Sequence, residues 1–485
     1  MNALLEHGHL WLRGRADHAS FWDFPMFSPA RNVTAYTETL LAAVPLYAPG
    51  RWLGLSREAA FQTWLLLAAA LGYLAMLGFL RRGLGFSLAG SAAGAYLFAF
   101  GAPRVARLGH PQLLPHFFAA AGLLGLALLA RPEASRALRW GAAALFCAGF
   151  ALQLYAGFYL GWLSGFALLL AGLLALAVPS ARARLVPMLR QNAVPLAAGA
   201  LLAGALLAPL AVRSLAAARD VGLRPYAQVV PMLPSPVSWL YPGPGSLLYG
   251  RLAGAAPYRE LPYAWEKVAG IGLVTLAASL AGLWRIRRMP LGRVCLLVGT
   301  ALLLLTTDFG GGASLWRTVA GVVPGGAAIR AVSRVALVLL VPAAIGLAAW
   351  LEGRSRRAVA VLVPLMALEQ TYAPATHSRT AAREDVARVV AAVPPTCGSF
   401  YVIADGPGAG PSLVRQMDAV LAQLETGIPT VNGYSGNLPP GYGSLHENVA
   451  RDPADFDRIR SELVAWELRN GLRAGSVCRV FLSYP

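Results

Sequence analysis

Two arginines four residues apart, Arg330 and Arg334, follow the run Pro324, Gly325, Gly326 at the start of an apolar stretch. Positions four apart share a helix face, so the two guanidiniums are expected to point together at one anion, such as a phosphate. Charge at the edge of a span is costly unless it is paired, which favours a ligand over a structural accident there. A second polar group, Arg104, Arg107, His110, Gln112 and His116, sits between two other apolar stretches. Arg104, His110 and Gln112 are candidate anion ligands, with headgroup contact and helix capping as the alternative. Carboxylates are scarce. Asp17, Asp23 and Glu38 lie near the start, Glu260 and Glu266 close a proline-rich stretch, and Asp308 follows a later apolar run. A base that takes a proton from a hydroxyl must come from this short supply, as must any oxygen ligand of a divalent cation. Asp23 and Glu38 are the candidate bases or acceptor-binding groups, Glu266 is a supporting one, and each has surface charge or helix capping as its alternative. The metal is unassigned, with a divalent cation left open, because no metal-ligand spacing is present. Phosphate-cradling glycine loops and serine-nucleophile motifs are also missing.

The elements that must position these groups are membrane spans. The chain is 57% hydrophobic and only 13% charged, against about 25% charged in soluble proteins, with a mean hydropathy of +0.55. Ten apolar stretches meet or approach the length a bilayer needs, about 20 residues. They run 58–80, 86–102, 111–130, 139–153, 156–178, 194–212, 267–284, 294–307, 332–351 and 357–373.

Alternate gaps between them are basic: Arg81 and Arg82; Arg131, Arg136 and Arg139; Arg182, Arg184 and Arg190; Arg285, Arg287, Arg288 and Arg293; Arg354, Arg356 and Arg357. Cytoplasmic loops collect Arg and Lys, so these five gaps are expected inside, with both chain ends and the long connections on the other face. The net charge of +18 follows from this topology and from attraction to anionic membrane lipids, and not from nucleic-acid binding.

Outside the spans, residues 1–56 mix aromatic and polar side chains, a composition that suits an interfacial segment. The loop 213–265 holds eight prolines, which exclude a long regular helix. After Pro374 the pattern becomes strand at Ser399–Ala404, helix at Pro411–Glu425, helix at Ala454–Arg469 and strand at Val477–Ser483. This predicts a small extracytoplasmic α/β domain over 374–485, after a transmembrane helical domain over 57–373. Cys397 lies just before one predicted strand and Cys478 at the head of the other, so an oxidising compartment allows a disulfide between them.

Six phrases occur in order: FWDFPMFSPARNVTAYTETLL at 21–41, ARLGHPQLLPHFF at 106–118, LQLYAGFYLGW at 152–162, WEKVAGIGL at 265–273, VPGGAAIRAVSRVAL at 323–337 and PTVNGYSGNLPPGY at 429–442. Together they resemble a broad group of bacterial multi-span proteins similar to GT-C glycosyltransferases. The resemblance implies a GT-C-like helical bundle in the bacterial inner membrane, and transfer of a hexose or pentose from a polyprenyl-phosphate donor. The implied acceptor is an extracytoplasmic glycan, lipid or protein of the cell envelope. It also implies a leaving phosphate for arginines such as Arg330 and Arg334, and a carboxylate base in the first outer loop. In this group a first span and an acidic motif usually precede the segment matched by Trp22 to Leu41, so an upstream span is expected. The alternative is a non-catalytic protein that binds or helps export lipid-linked glycans. A transporter would place charge at mid-span and often show internal repeats, and neither is found.

Overall fold

The computed structural model describes residues 1–222 and 224–485. The chain divides into two compact units, one of residues 1–61, 209–222 and 376–485, the other of residues 62–208 and 223–375.

The helices follow in chain order. Short α1 (Asn2–Leu12) and α2 (Val44–Trp52) precede α3 (Arg57–Gly78), which continues in a π turn through Gly83. Then come α4 (Leu88–Phe100), α5 (Ala102–Val105), α6 (Phe117–Leu129), α7 (Arg136–Ala156), α8 (Phe158–Ala177), α9 (Pro179–Gln191) and α10 (Ala193–Val221). The expected loop 213–265 starts later, because α10 continues to Val221, and its described residues from Tyr226 on form short 3-10 turns; after it run α11 (Leu273–Arg285), α12 (Pro290–Thr306), α13 (Trp316–Val322), α14 (Ala336–Leu351) and α15 (Arg356–Glu369). Serine starts several of them. Ser87, Ser135 and Ser355 each accept a hydrogen bond from the backbone N–H three residues on, which fixes the first turns of α4, α7 and α15 beside basic gaps.

Among the described residues, six helices are long and apolar enough to cross a membrane, and Leu273–Arg285 and Pro290–Thr306 are shorter apolar helices. The chain is thus a helical, multi-pass membrane protein, in which six of the ten stretches expected to meet or approach spanning length form helices long enough to cross. Sequence reading overran the real ends. The expected 86–102 stretch is a helix of 13 residues, about 20 Å long by rise per residue, because it starts at the Ser87 cap and stops at Gly101 before Pro103. The expected 267–284 stretch begins helically only at Leu273, since Gly272 adopts φ 83°. Small residues set the packing: Gly282 of α11 and Gly346 of α14 lie so close that a Cβ on either would strike the partner helix backbone.

The five basic gaps meet at one end of this helical unit. An arginine of the second gap, Arg131, donates to the carbonyl of Arg82 in the first, and Asn192, beside the third, donates 3.1 Å to the Leu129 carbonyl next to the second. Glu352 accepts 2.8 Å from the Ser87 N–H, and its carbonyl accepts 2.7 Å from Arg285, so the fourth and fifth gaps join the first. Helices α4, α6, α8, α11, α14 and α15 each have one terminus at that end. Their other termini carry Phe100, Phe117, Phe158, Leu273, Ala336 and Glu369, and these define the opposite, non-basic end.

In the other unit, α16 (Arg379–Ala392), β1 (Phe400–Asp405), α17 (Ser412–Thr426), α18 (Pro453–Arg469) and β2 (Cys478–Ser483) match the four predicted elements within two residues and add a helix. The strands pair in parallel, from Phe400↔Cys478 to Asp405↔Ser483, and Cys397 is disulfide-bonded to Cys478 at the head of the pair. Side chains alternate across β1. Phe400 and Val402 pack with Val386, Val389 and Ala419, whereas Tyr401 and Ile403 pack with Ile459, Leu463 and Trp466. The second layer also contains Leu4, Phe24, Phe27 and Val33. Much of the N-terminal segment, expected to line an interface, is therefore core: Ala3 to Leu10 of α1 are all buried.

Candidate functional site

At the non-basic end of the helical unit, the backbone between α4 and α6 turns sharply and is pinned by its own arginines. Arg104 is 3% exposed and donates to the carbonyls of Phe98 (2.8 Å) and Leu113 (2.9 Å) and to His116 Nδ1 (3.1 Å), whose Nε2 meets Ser164 Oγ at 2.9 Å. Arg107 donates to the carbonyls of Pro103 (2.8 Å), Val268 (2.6 Å) and Glu266. Burial, with the charge of Arg107, pushes the Arg104 guanidinium down to about 9. Burial pushes Arg107 down to about 10 against the attraction of Glu266. Both therefore remain cations at neutral pH. Arg104, expected to hold an anion, is instead taken up in stapling its own turn. Gln112, in the following turn, is buried, and its Oε1 has no hydrogen-bond partner among the described residues.

Glu266 is the hub. It closes a 3-10 turn entered through Tyr263, which has φ 49°, a conformation costly for a bulky side chain and typical of functional positions. The carboxylate is 3% exposed. It receives Arg334 in a two-pronged ion pair, Nη2 to Oε1 at 2.6 Å and Nε to Oε2 at 3.1 Å. His110 Nε2 lies 3.0 Å from Oε1, and Arg107 Nε lies 4.0 Å from Oε2. Burial alone would raise the carboxyl pKa, but the hydrogen bonds of His110 and Arg334 and the charges of Arg334 and Arg107 outweigh it and hold Glu266 well below the usual carboxylate range. The Arg334 guanidinium also lies over the Tyr159 ring, 4.6 Å from its centroid.

Arg330 and Arg334 do not share a helix face. Ala331 has φ −85° and ψ 75°, a 3-10 turn covers Val332–Val335, and α14 starts only at Ala336, so the four-residue periodicity does not apply. Arg334 is committed to Glu266. The Arg330 backbone N–H donates 3.1 Å to the Tyr159 hydroxyl, while its half-buried guanidinium has no hydrogen bond or ion pair among the described residues. Burial, together with the charge of Arg330, pushes nearby Arg224 down as well.

Asp23 and Glu38 belong to the other unit. Asp23 Oδ1 accepts 2.8 Å from the N–H of Asn32, itself at φ 59°, and Oδ2 lies 3.7 Å from Arg31. Glu38 is buried at 8% exposure, two residues before Leu40 at φ 53°. No group of three or more His, Cys, Asp or Glu that could hold a metal ion occurs among the described residues.

Sequence reasoning passed over Glu369 and Gln370. Glu369, buried at 1%, caps α11 by accepting from the N–H groups of Val274 (2.9 Å) and Thr275 (2.7 Å), and takes the hydroxyls of Thr275 (2.7 Å) and Tyr249 (2.5 Å). Gln370 accepts from the Ala102 N–H at 3.1 Å and donates to the Ile271 carbonyl at 2.7 Å. The signal was available, since an acid inside the expected 357–373 span is a functional candidate by its cost alone. Gln370 and Thr275 form the polar part of an otherwise apolar cavity of about 510 Å³, with Tyr73, Tyr96, Leu97 and Val363 among its walls. No arginine lines it.

No family model matches the chain, and no curated protein matches it. Two solved structures are similar. One is the arabinofuranosyltransferase AftD from Mycobacteria, at 17% identity and a TM-score of 0.48, over 75% of this chain and 25% of that one. The other is ArnT from Cupriavidus metallidurans in the apo state, at 15% identity and a TM-score of 0.40, over 95% of this chain and 86% of that one. The chain thus spans about a quarter of the length of AftD.

Proposed function

We propose that this protein transfers a sugar from a polyprenyl-phosphate donor to a cell-envelope acceptor at the non-basic end of its helical unit, with the basic end facing the cytoplasm of a bacterium. The observation that carries the reading is Arg330. A half-buried guanidinium with no hydrogen bond or ion pair among the described residues, four residues before one already neutralised by Glu266, is available to pair with an anion. A leaving phosphate supplies the missing charge and draws off negative charge as the glycosidic bond breaks. The apolar cavity beside Gln370 offers space to part of a prenyl chain.

Arg330→Ala tests it. A charged hydrogen bond contributes about 1.5–3 kcal/mol, so polyprenyl-phosphate binding is expected to weaken roughly 10- to 150-fold. Unchanged binding would remove the phosphate assignment. Binding that depends on Arg330 in a protein that transfers from no polyprenyl-phosphoryl pentose or hexose would favour the carrier alternative, a protein that holds or helps export lipid-linked glycans.

A further inference from the structure

We infer that His110 is the proton acceptor of the transfer reaction and that Glu266 is the residue that positions it. The inference rests on the transferase reading above.

The geometry is that of an oriented imidazole. His110 Nε2 faces the buried Glu266 Oε1 at 3.0 Å, and its side chain is 35% exposed against 3% for Glu266. Hydrogen-bonding one ring nitrogen to a fixed carboxylate selects the tautomer with the proton on that nitrogen, which leaves the other as a lone-pair acceptor. That other nitrogen, Nδ1, has no partner among the described residues, and the ring's exposure gives it access to solvent and ligand. The backbone that carries the ring is held from both sides. Its backbone N–H donates to the Arg107 carbonyl at 2.8 Å, and its carbonyl accepts from Leu113 N–H at 3.0 Å. Arg107, in the same turn, grips the carbonyls of Glu266 and Val268, so the segment that carries the imidazole also fixes the carboxylate that orients it.

The groups facing His110 and its partner are Glu266 directly, then Arg334 and Arg107 through it. Arg334 already balances the Glu266 charge with a two-pronged pair, so the carboxylate orients the ring without requiring it to be charged. Buried Gln112 adds an unpartnered carbonyl oxygen two residues along, an acceptor for a donor hydroxyl.

The acceptor O–H gives its proton to His110 Nδ1 as its oxygen forms a bond to the anomeric carbon. The bond from that carbon to the donor phosphate oxygen breaks, and its electron pair leaves with the polyprenyl phosphate. The Nε2–H proton stays on His110, donated in its hydrogen bond to Glu266 Oε1 throughout, and Nδ1 returns its proton to water after product release.

The test uses the full-length protein with polyprenyl-phosphoryl pentoses and hexoses, following sugar transfer, with polyprenyl phosphate binding measured in parallel. His110→Ala is expected to lower kcat by about 100-fold or more, to keep polyprenyl phosphate affinity within twofold, and to lose the acidic limb of the pH profile. Added imidazole should restore part of the rate. Glu266→Gln should move that acidic limb. His110→Gln separates shape from proton transfer and should stay inactive while folded. Wild-type kcat and pH profile in His110→Ala would overturn this inference and leave the transferase reading standing, as would loss of activity without imidazole rescue but with lost phosphate binding. A wild-type protein that binds polyprenyl phosphate yet transfers from no donor would overturn both.

Discussion

Glu266 is the residue whose removal should be felt most. Glu266→Gln keeps the shape of the side chain but deletes the charge that faces Arg334 at 2.6 and 3.1 Å and Arg107 at 4.0 Å. Both guanidiniums are buried, at 9% and 1% side-chain exposure, so neither gains enough water to replace the lost partner. Breaking a buried pair from one side costs about 3–5 kcal/mol. Arg334→Met alone should cost less, because Glu266 keeps Arg107 and His110. The double variant Glu266→Gln with Arg334→Met removes one uncompensated cation and should be less destabilised than the sum by about 2 kcal/mol. SDS titration of the four proteins in mixed micelles gives the unfolding free energies. Additive losses, with coupling below about 0.5 kcal/mol, would refute the account of Glu266 as a charge hub. The pH dependence supplies a second check. A carboxylate with a depressed folded-state pKa stabilises fully above its unfolded value of about 4.3 and loses that contribution only as pH falls through the folded value. The coupling should therefore be the same at pH 6 and pH 8.

Two further outcomes are expected in the other unit. The Cys397–Cys478 bond closes a loop across a separation of 81 residues, so Cys397→Ser should cost this unit about 4.5 kcal/mol by loop-closure entropy. A reductant that leaves its thermal midpoint unchanged would count against the bond. His7 is fully buried, with Nδ1 2.7 Å from His18 Nδ1 and Nε2 2.9 Å from the Phe21 carbonyl. Burial pushes it down to about 3, helped by the charge of His18 and opposed by the Phe21 carbonyl and Asp23. The unfolded chain, with His near 6.5, then binds more protons than the folded one, so stability is complete above that pH and falls by about 2 kcal/mol on acidification to pH 5. His7→Phe should flatten this slope in unfolding measured from pH 7.5 to 5, and an unaltered slope would refute the assignment.

The sequence by itself determined the features that local chemistry controls. Arginine clusters marked the gaps between helices, because a guanidinium is tolerated at a membrane edge and not within the apolar core. Alternation and turn residues placed the two strands and two of the helices after Pro374 within two residues. The two cysteines at the strand heads were visible for the same reason, although their meeting depended on parallel pairing. Helix ends were less legible: an apolar run continues past Gly101 and before Gly272 without declaring that the backbone has left the helix.

The tertiary structure alone decided the partners of the charged groups. Glu266 is 68 residues from Arg334 and 159 from Arg107, and no local rule ties such positions together. The Arg330 and Arg334 pairing inferred from helical spacing failed because a 3-10 turn occupies that place. Once Arg334 turned to Glu266, the Arg330 guanidinium was left with no ion pair among the described residues. The N-terminal segment looked interfacial from its aromatics, yet Leu4, Phe24 and Phe27 fill the layer behind β1. Composition shows that such side chains must leave water, while only packing selects the surface that covers them.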